Sequence, residues 1–309
     1  QKSVFHILSK YLRKSDCFEL KNSIISKMIG MTNYPLERWN YNPSIYVRTE
    51  PFAGLRNLGA TCYINSIIQQ LYHIFPIRYF LSTYEFKEDD ELVAFQDILV
   101  QMAFTERAYV DTSKFIETWH GWNKTLLNPK EQQDSVLLFL ALIDTFPKKI
   151  SEMFQGEMTN FLSGVGVEFH NSRIETFYNL CISIKDHLNI QSSFDEFIQE
   201  ESVTDYECDA NKTKITVSKY LRISKLPKIL VIQLKRFEYS ISTCDRYKIN
   251  DHFEFPLKLD IKKLCEQQDL DDNQYMYNLN GIVIHSGDAN GGHYISLIKK
   301  SDTWWSFND

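Results

Sequence analysis

The chain has 309 residues, of which 43% are hydrophobic and 14% aromatic, a composition typical of a globular protein with a large buried core. Its formal charge of −6 at pH 7 argues against a surface that binds the phosphate backbone of a nucleic acid. A membrane-spanning helix needs about 20 consecutive apolar residues, and the sequence contains no such run. Neither a nucleic acid nor a membrane is therefore expected as a partner.

The six cysteines are widely spaced, form no CxxC pair and follow no secretory signal. This usage predicts thiols in a reducing compartment, the cytosol or the nucleus. Because the first residue is Gln1 rather than methionine, we expect the chain to be part of a longer protein.

The first half of the chain is predicted to be mainly helical. Residues 1–50 form a predicted helical lead-in followed by a proline-containing connector. From Ile64 to Phe75 apolar residues recur at intervals of three and four, which predicts a helix that Pro76 ends. The stretch "EQQDSVLLFLALIDTF" predicts a second apolar helix that ends at Pro147.

After about residue 155 the pattern changes to short segments rich in β-branched and aromatic residues, which predict antiparallel strands. The clearest segments are "ETFYNLCISI", "TKITVSKYLRI", "KILVIQLKRFEY", "NLNGIVIHSG" and "HYISLIKK". Helices followed by a sheet predict an α+β fold with its site between a helical lobe and a β lobe.

Cys62 stands out in "GLRNLGATCYINSIIQQLY", residues 54–72, because it directly precedes an apolar helical run. A cysteine attacks as its thiolate, which a helix N-terminus or a cationic imidazole stabilises. Gly59 lets the backbone approach a substrate closely, and Asn57 can offer a side-chain N–H to an oxyanion. On this stretch alone, a capping turn with a core cysteine is the alternative.

A cysteine nucleophile needs a base, and His293 is the preferred candidate among eight histidines. It follows a glycine-rich loop, residues 287–292, and begins an apolar strand, so the loop admits a thin peptide while the strand fixes the ring. His285, at the other end of the loop, is the alternative base. Asn308 and Asp309 end the next strand-like run, where either residue can orient His293.

The motifs together resemble the ubiquitin-specific proteases. The stretch around Cys62 resembles their cysteine box, and "GIVIHSGDANGGHYISLIKK" with "WWSFND" resembles their histidine box. Between these, "EQQDS", "LPKILVIQLKRFEY" and "KINDHFEFPLKLD" resemble the family's other blocks in the family's order. The resemblance covers about residues 51–309. The stretch around Cys62 is most similar to that of the very large members of the family.

The resemblance implies a papain-like cysteine protease whose fold is compared to a right hand. Its helical thumb would span about residues 51–150, its β fingers about 156–225 and its β palm about 226–309. The implied reaction is hydrolysis of the isopeptide or peptide bond after the last glycine of ubiquitin, without a cofactor. Ubiquitin and ubiquitinated proteins are the implied partners.

The family pattern also implies a role for each site residue. Cys62 would be the nucleophile, His293 the general base, Asn308 the residue that orients it and Asn57 the oxyanion donor, with Asp309 sharing the orienting role. The residues assigned to binding the basic tail of ubiquitin are Gln132, Asp134, Phe237, His285 and Tyr294. For Asp134 alone, a solvated acid at a helix start is the alternative.

Two departures from the family pattern stand out. Most members bind a structural zinc through two CxxC pairs in the fingers, but the matching positions here are Gly164, Val167, Cys208 and Asn211. A tetrahedral zinc site cannot be built from one cysteine, so no zinc is expected. Leu137 stands where the family usually has an acidic residue that contacts the basic tail. Both departures favour the hypothesis of a ubiquitin-binding module without catalysis, and a protease for another ubiquitin-like modifier is a third hypothesis.

Overall fold

The computed structural model describes residues 47–87, 90–121, 124–208, 213–269 and 271–309. The predicted lead-in helix and nearly all of the predicted connector therefore lie outside the described residues. The chain divides into two compact units. The first runs to Phe146 and also contains Gly281–Ser286 and His293–Asp309, and the second comprises Pro147–Asn280 and Gly287–Gly292.

The N-terminal part of the first unit is mainly helical, as predicted. In chain order its elements are β1 (Gly54–Leu55), α1 (Cys62–His73), α2 (Phe75–Thr83), α3 (Leu92–Phe104), β2 (Tyr109–Val110), α4 (Ser113–Thr118) and α5 (Ser135–Thr145). α1 packs against α5, and the buried side chains of the two helices include Ile64, Ile68, Leu138 and Leu142. α5 ends before Pro147, as its sequence predicts.

The prediction that the first helix continues to Phe75 and is ended by Pro76 is wrong. α1 ends at His73, where the following residue, Ile74, has an extended backbone with φ −87° and ψ 99°. Pro76 instead lies in the first turn of α2, where its missing N–H removes no helical hydrogen bond. Phe75 begins this second helix and is 62% exposed.

The second unit begins with α6 (Lys148–Phe154) and is built mainly of strands. Further along the chain lie β3 (Gly156–Gly164), β4 (His170–Phe177), β5 (Leu180–Ser183), α7 (Ile190–Phe197), β6 (Glu201–Glu207), β7 (Lys214–Lys225), β8 (Ile232–Lys235), β9 (Phe237–Ser240), β10 (Asp245–Lys248), β11 (Lys258–Asp260) and β12 (Met276–Asn278). β3, β4, β6 and β7 form one antiparallel sheet in the order β4-β3-β7-β6. A separate core around α7 and β5 includes Ile182, Phe194, Ile223 and Leu264.

The last three strands return to the first unit. They are β13 (Gly281–Gly287), β14 (Gly292–Lys300) and β15 (Thr303–Phe307), and they form a sheet in that order. β14 and β15 are antiparallel, with Ser296 opposite Phe307, so the predicted pairing of these two segments across a turn at residues 301 and 302 is confirmed.

Hydrogen bonds attach α1 to this three-stranded sheet. Gln70 Nε2 donates to the carbonyl oxygens of Ile282 and Leu297 at 3.1 and 3.3 Å, and Ser296 Oγ donates to the carbonyl oxygen of Ser66 at 2.8 Å. A Cβ at Gly281 would lie 1.9 Å from Gln70 Oε1, so a side chain at that position would displace the Gln70 amide. These contacts fix the helix that begins at Cys62 relative to the strand that begins beside His293.

The predicted α+β fold, with helices followed by sheets, is confirmed. Two strand pairs, β1–β2 and β5–β8, are parallel rather than antiparallel. In addition, α7 is a helix within the part of the chain for which the sequence predicts strands. The segment "KILVIQLKRFEY" forms two strands instead of one, because the Arg236 N–H bonds back to Leu234 O at 2.8 Å. Within the described residues, no helix is long and apolar enough to cross a membrane.

Candidate active site

The turn before Cys62 is organised by the side chain of Asn57. Its Oδ1 accepts hydrogen bonds from the backbone N–H of Gly59 at 2.9 Å and from the backbone N–H of Thr61 at 3.3 Å. Gly59 has a φ of +137°, and a Cβ there would lie 2.9 Å from the Pro129 carbonyl oxygen, so only glycine fits this turn. Cys62 then begins α1 and is 3% exposed.

Gln132 contributes a side chain that reaches the cysteine. Its Nε2 donates to Cys62 Sγ at 3.4 Å, a contact that the sequence did not indicate, because the resemblance assigns Gln132 to the ubiquitin tail. An amide N–H at this distance can stabilise negative charge on the sulfur. The assignment to tail binding stays a prediction.

Asp134 is the N-cap of α5. Its Oδ1 accepts hydrogen bonds from the backbone N–H groups of Val136 and Leu137 at 2.6 and 3.3 Å. This oxygen therefore caps the helix, as the alternative interpretation of an acid at a helix start predicts. Leu137, in the first turn of the helix, is 53% exposed, so an apolar side chain occupies the surface where the family resemblance leads us to expect an acid. Tail binding by Asp134 stays a prediction.

His293 and Asn308 are brought together by the pairing of β14 and β15. His293 Nε2 lies 2.5 Å from Asn308 Oδ1, although the two residues are 15 positions apart in the chain. Because the Asn308 oxygen accepts, Nε2 carries the ring proton in the neutral imidazole and Nδ1 remains basic. This hydrogen bond also fixes the orientation of the ring.

Asp309 lies close to the same imidazole, but at a greater distance. Its Oδ2 is 3.8 Å from His293 Nε2 and accepts a hydrogen bond from Asn57 Nδ2 at 2.8 Å. Its Oδ1 accepts from Asn65 Nδ2 at 2.9 Å. Asp309 therefore links the residue proposed to donate to an oxyanion with the residue proposed to act as base.

Tyr294 and His285 pack together beside these residues, with ring centroids 4.6 Å apart. Burial and the charge of Asp134 raise the pKa of the Tyr294 hydroxyl to about 12, while hydrogen bonds from Ser135 oppose the rise. Tyr294 is therefore a neutral hydroxyl close to the N-terminus of α5. Phe237 lies in the second unit on β9, opposite Lys248, and is 39% exposed.

The first unit thus contains nine of the ten predicted site residues, and Phe237 belongs to the second. Sequence reasoning missed Asn65, whose amide contacts Asp309. Its position three residues after Cys62, on the first turn of a helix, was visible in the sequence, but its partner lies 244 residues away. Ser135 was missed in the same way.

The positions that match the family's zinc ligands lie near two hairpin ends of the four-stranded sheet. Gly164 ends β3, Val167 lies in the turn to β4, and Cys208 follows β6; Asn211 lies outside the described residues. Among the residues that the structure describes, no group of three or more His, Cys, Asp or Glu side chains is arranged to hold a metal ion. The expectation that no zinc is bound stays a prediction.

A cysteine at a helix N-terminus, a histidine near the start of one strand and an asparagine directly after the adjacent strand are the groups expected in a papain-like cysteine hydrolase. The family model described as "Ubiquitin carboxyl-terminal hydrolase" matches residues 53–309. The chain belongs to this family, as the resemblance to the ubiquitin-specific proteases predicts.

The chain is similar to family members from plants, fungi and animals. Over 89% of its length it is 31% identical to ubiquitin C-terminal hydrolase 12 of Arabidopsis thaliana, and over 84% of its length it is 32% identical to ubiquitin carboxyl-terminal hydrolase 15 of Saccharomyces cerevisiae. Over 90% of its length it is 30% identical to human ubiquitin carboxyl-terminal hydrolase 34. It spans only 26%, 23% and 9% of these three proteins.

Proposed function

We propose that this chain is an active deubiquitinase that hydrolyses the isopeptide or peptide bond after the C-terminal glycine of ubiquitin, using Cys62 as nucleophile. The observation that carries the proposal is the hydrogen bond of 2.5 Å between His293 Nε2 and Asn308 Oδ1. It supports a base whose ring is oriented and whose other nitrogen, Nδ1, can accept a proton.

In the proposed mechanism His293 Nδ1 takes the thiol proton and the Cys62 sulfur attacks the glycine carbonyl carbon. Asn57 and backbone N–H groups at the start of α1 stabilise the oxyanion. The imidazolium then gives its proton to the departing lysine amine, which leaves a thioester. A water molecule, deprotonated by His293, hydrolyses the thioester and regenerates the thiol. No step needs a cofactor.

Substrate recognition is proposed to involve the basic tail of ubiquitin, which ends in two glycines. The carboxylate of Asp134 would attract the tail, and the neutral ring of Tyr294 would line it. For Gln132, His285 and Phe237 the assignment to the tail is based on the family resemblance alone. Ubiquitinated proteins are the proposed substrates, and the cytosol or nucleus the proposed location. The exposed Leu137 predicts weaker attraction of the tail than an acid would give.

The test is intact mass spectrometry after incubation with ubiquitin that carries a thiol-reactive group at its C-terminus. We expect a one-to-one adduct with the wild-type chain and none with Cys62→Ala, while the variant still binds ubiquitin. The matched control is Cys265→Ala, because Cys265 is a second buried cysteine whose thiol pKa is raised to about 11 by burial and by the charge of Asp260; that variant should form the adduct normally.

The other two hypotheses give different outcomes in the same experiment. A chain that binds ubiquitin but forms no adduct, in a sample shown to be folded, would be a binding module without catalysis. A chain that forms no adduct with ubiquitin but reacts with a related modifier carrying the same group would be a protease for that modifier. Either result would overturn the proposal.

A further inference from the structure

We propose that Asn65 is a positioning residue for this reaction. By holding Oδ1 of Asp309, it directs Oδ2 of the same carboxylate toward His293 and Asn57. The inference rests on the proposed function, because the positioned groups matter only if the cysteine turns over a substrate.

Asn65 is an almost fully buried polar side chain on the first turn of α1. It is 1% exposed, and its Nδ2 donates to Asp309 Oδ1 at 2.9 Å and to the Leu55 carbonyl oxygen at 3.3 Å. Its own Oδ1 is buried and has no hydrogen-bond partner among the described residues. A buried acceptor without a partner is destabilising, so what Asn65 contributes to the site comes from its N–H groups.

The orientation of the Asn65 amide is determined by these neighbours. A flip would place the amide oxygen against the carbonyl oxygen of Leu55 and against a carboxylate oxygen of Asp309, and both contacts would then be between acceptors. Only the observed orientation presents two donors to two acceptors. The Asn65 amide therefore holds Asp309 Oδ1 in one position.

The two oxygens of the Asp309 carboxylate have different partners. Oδ1 is held by Asn65, which leaves Oδ2 for Asn57 Nδ2 at 2.8 Å and His293 Nε2 at 3.8 Å. Asp309 has a φ of +60°, in the left-handed region that aspartate adopts more readily than most residues.

The position of Oδ2 has two consequences for the chemistry. A negative charge near the ring stabilises the imidazolium that forms when His293 takes the thiol proton. The bond to Asn57 fixes the direction of that amide, because its Oδ1 is already bound by the backbone N–H of Gly59 and Thr61. Through Asp309, a single buried amide therefore positions both the negative charge beside the base and the oxyanion donor.

The test measures kcat and KM for ubiquitin with a fluorogenic C-terminal amide, using wild type, Asn65→Ala, Asp309→Asn and the double variant. We expect Asn65→Ala to lower kcat about tenfold, the scale of a coupled polar pair, with KM changed less than twofold. In the Asp309→Asn background, the same substitution should change kcat by less than twofold. An equal loss in both backgrounds, or a loss confined to KM, would overturn the inference.

Gln69→Ala is the matched control for a purely structural role. Gln69 lies one turn further along α1, is 2% exposed and donates from Nε2 to the Ala53 carbonyl oxygen at 3.0 Å. Its substitution should lower the melting temperature as Asn65→Ala does while leaving kcat unchanged, and an equal loss of kcat in both would overturn the inference. If wild type itself forms no adduct and has no turnover, the proposed function fails instead.

Discussion

His73 is a half-buried histidine whose environment favours only its neutral form. The ring lies among Phe52, Tyr72 and Phe307, with centroid distances of 4.8 to 4.9 Å, and both ring nitrogens are buried without a hydrogen-bond partner in the described chain. Burial, and after it the positive charges of Lys300 and Arg78, lower the pKa of His73 to about 3. Because Phe307 directly precedes Asn308, protonation here would disturb the strand that ends at the site.

At the residue scale we therefore predict an acid-sensitive stability that depends on His73. The folded pKa of about 3 is below the unfolded value of about 6.5, so between these values the unfolded chain binds a proton that the folded chain excludes. The contribution of neutral His73 to the free energy of unfolding is therefore complete above pH 6.5 and decreases as the pH falls toward 3. His73→Phe should melt at the same temperature as wild type or higher at pH 7, and its melting temperature should fall less between pH 7 and pH 5.

The measurement is thermal unfolding of both proteins across this range. His252→Gln provides the control, since the His252 side chain is 80% exposed and its loss should leave the pH dependence as in wild type. If His73→Phe and wild type lose the same number of degrees between pH 7 and pH 5, the account of His73 is wrong.

The sequence could identify some of these residues and not others, for a physical reason. Cys62, Asn57 and Gly59 lie within a few positions of one another, so the turn they form follows from local chemistry. Asn65 contacts Asp309 and His73 contacts Phe307, both more than 230 positions further along the chain. Residue types alone cannot indicate which distant segment will cover a helix. Hence nothing in the sequence around His73 indicates that its ring nitrogens lack hydrogen bonds in the described chain.

At the scale of elements, the short strand β1 lies against the backbone of Asp309. Gly54 pairs with Tyr109 of β2, and its N–H donates to the Ala108 carbonyl oxygen at 2.8 Å. A Cβ at Gly54 would lie 2.6 Å from the backbone carbonyl oxygen of Asp309. The absence of a side chain at this point therefore allows Asp309 to approach the strand.

We predict that Gly54→Ala lowers both stability and turnover. The contact is with backbone, which cannot rotate away, so β1 or Asp309 must shift, at a cost of about 1–3 kcal/mol. Since Asp309 Oδ2 is only 3.8 Å from His293, the shift should reduce kcat several-fold as well as the melting temperature.

Asp111→Ala serves as the comparison for this prediction. Asp111 follows β2, forms an exposed ion pair with Arg56 at 2.9 Å and accepts the Ser113 backbone N–H at 2.9 Å at the start of α4. Its loss should lower stability by about 1–2 kcal/mol and leave kcat unaffected. Turnover by Gly54→Ala at the wild-type rate would show that the approach of Asp309 to β1 has no part in catalysis.

Some boundaries of helices and strands can be predicted from local sequence patterns alone. The end of α5 before Pro147 and the turn between β14 and β15 follow from residue preferences, and both were predicted. The break between α1 and α2 was placed wrongly, because a proline fits the first turn of a helix as well as it ends one. Which of the two occurs depends on Ile74, whose extended conformation no periodicity indicates.

At the scale of the whole molecule, the four-stranded sheet of the second unit is held by its own contacts. β3 pairs along its length with β4 on one side and β7 on the other, and Phe161 stacks on Tyr220 with centroids 5.0 Å apart and planes at 17°. Phe169 and Tyr206 add a second aromatic contact, at 5.6 Å. Strand pairing and aromatic packing therefore join these strands to one another.

We therefore predict that removal of divalent metal leaves the chain unchanged. Glycine and valine have no side-chain donor for zinc, and Cys208 alone cannot complete a tetrahedral site. Dialysis against a strong chelator should shift the melting temperature by less than one degree and leave the rate of adduct formation with reactive ubiquitin as before. A family member with both CxxC pairs, treated in parallel, should lose stability, because a structural zinc contributes directly to folding. A fall in the melting temperature of this chain that added zinc reverses would show that other residues bind the metal.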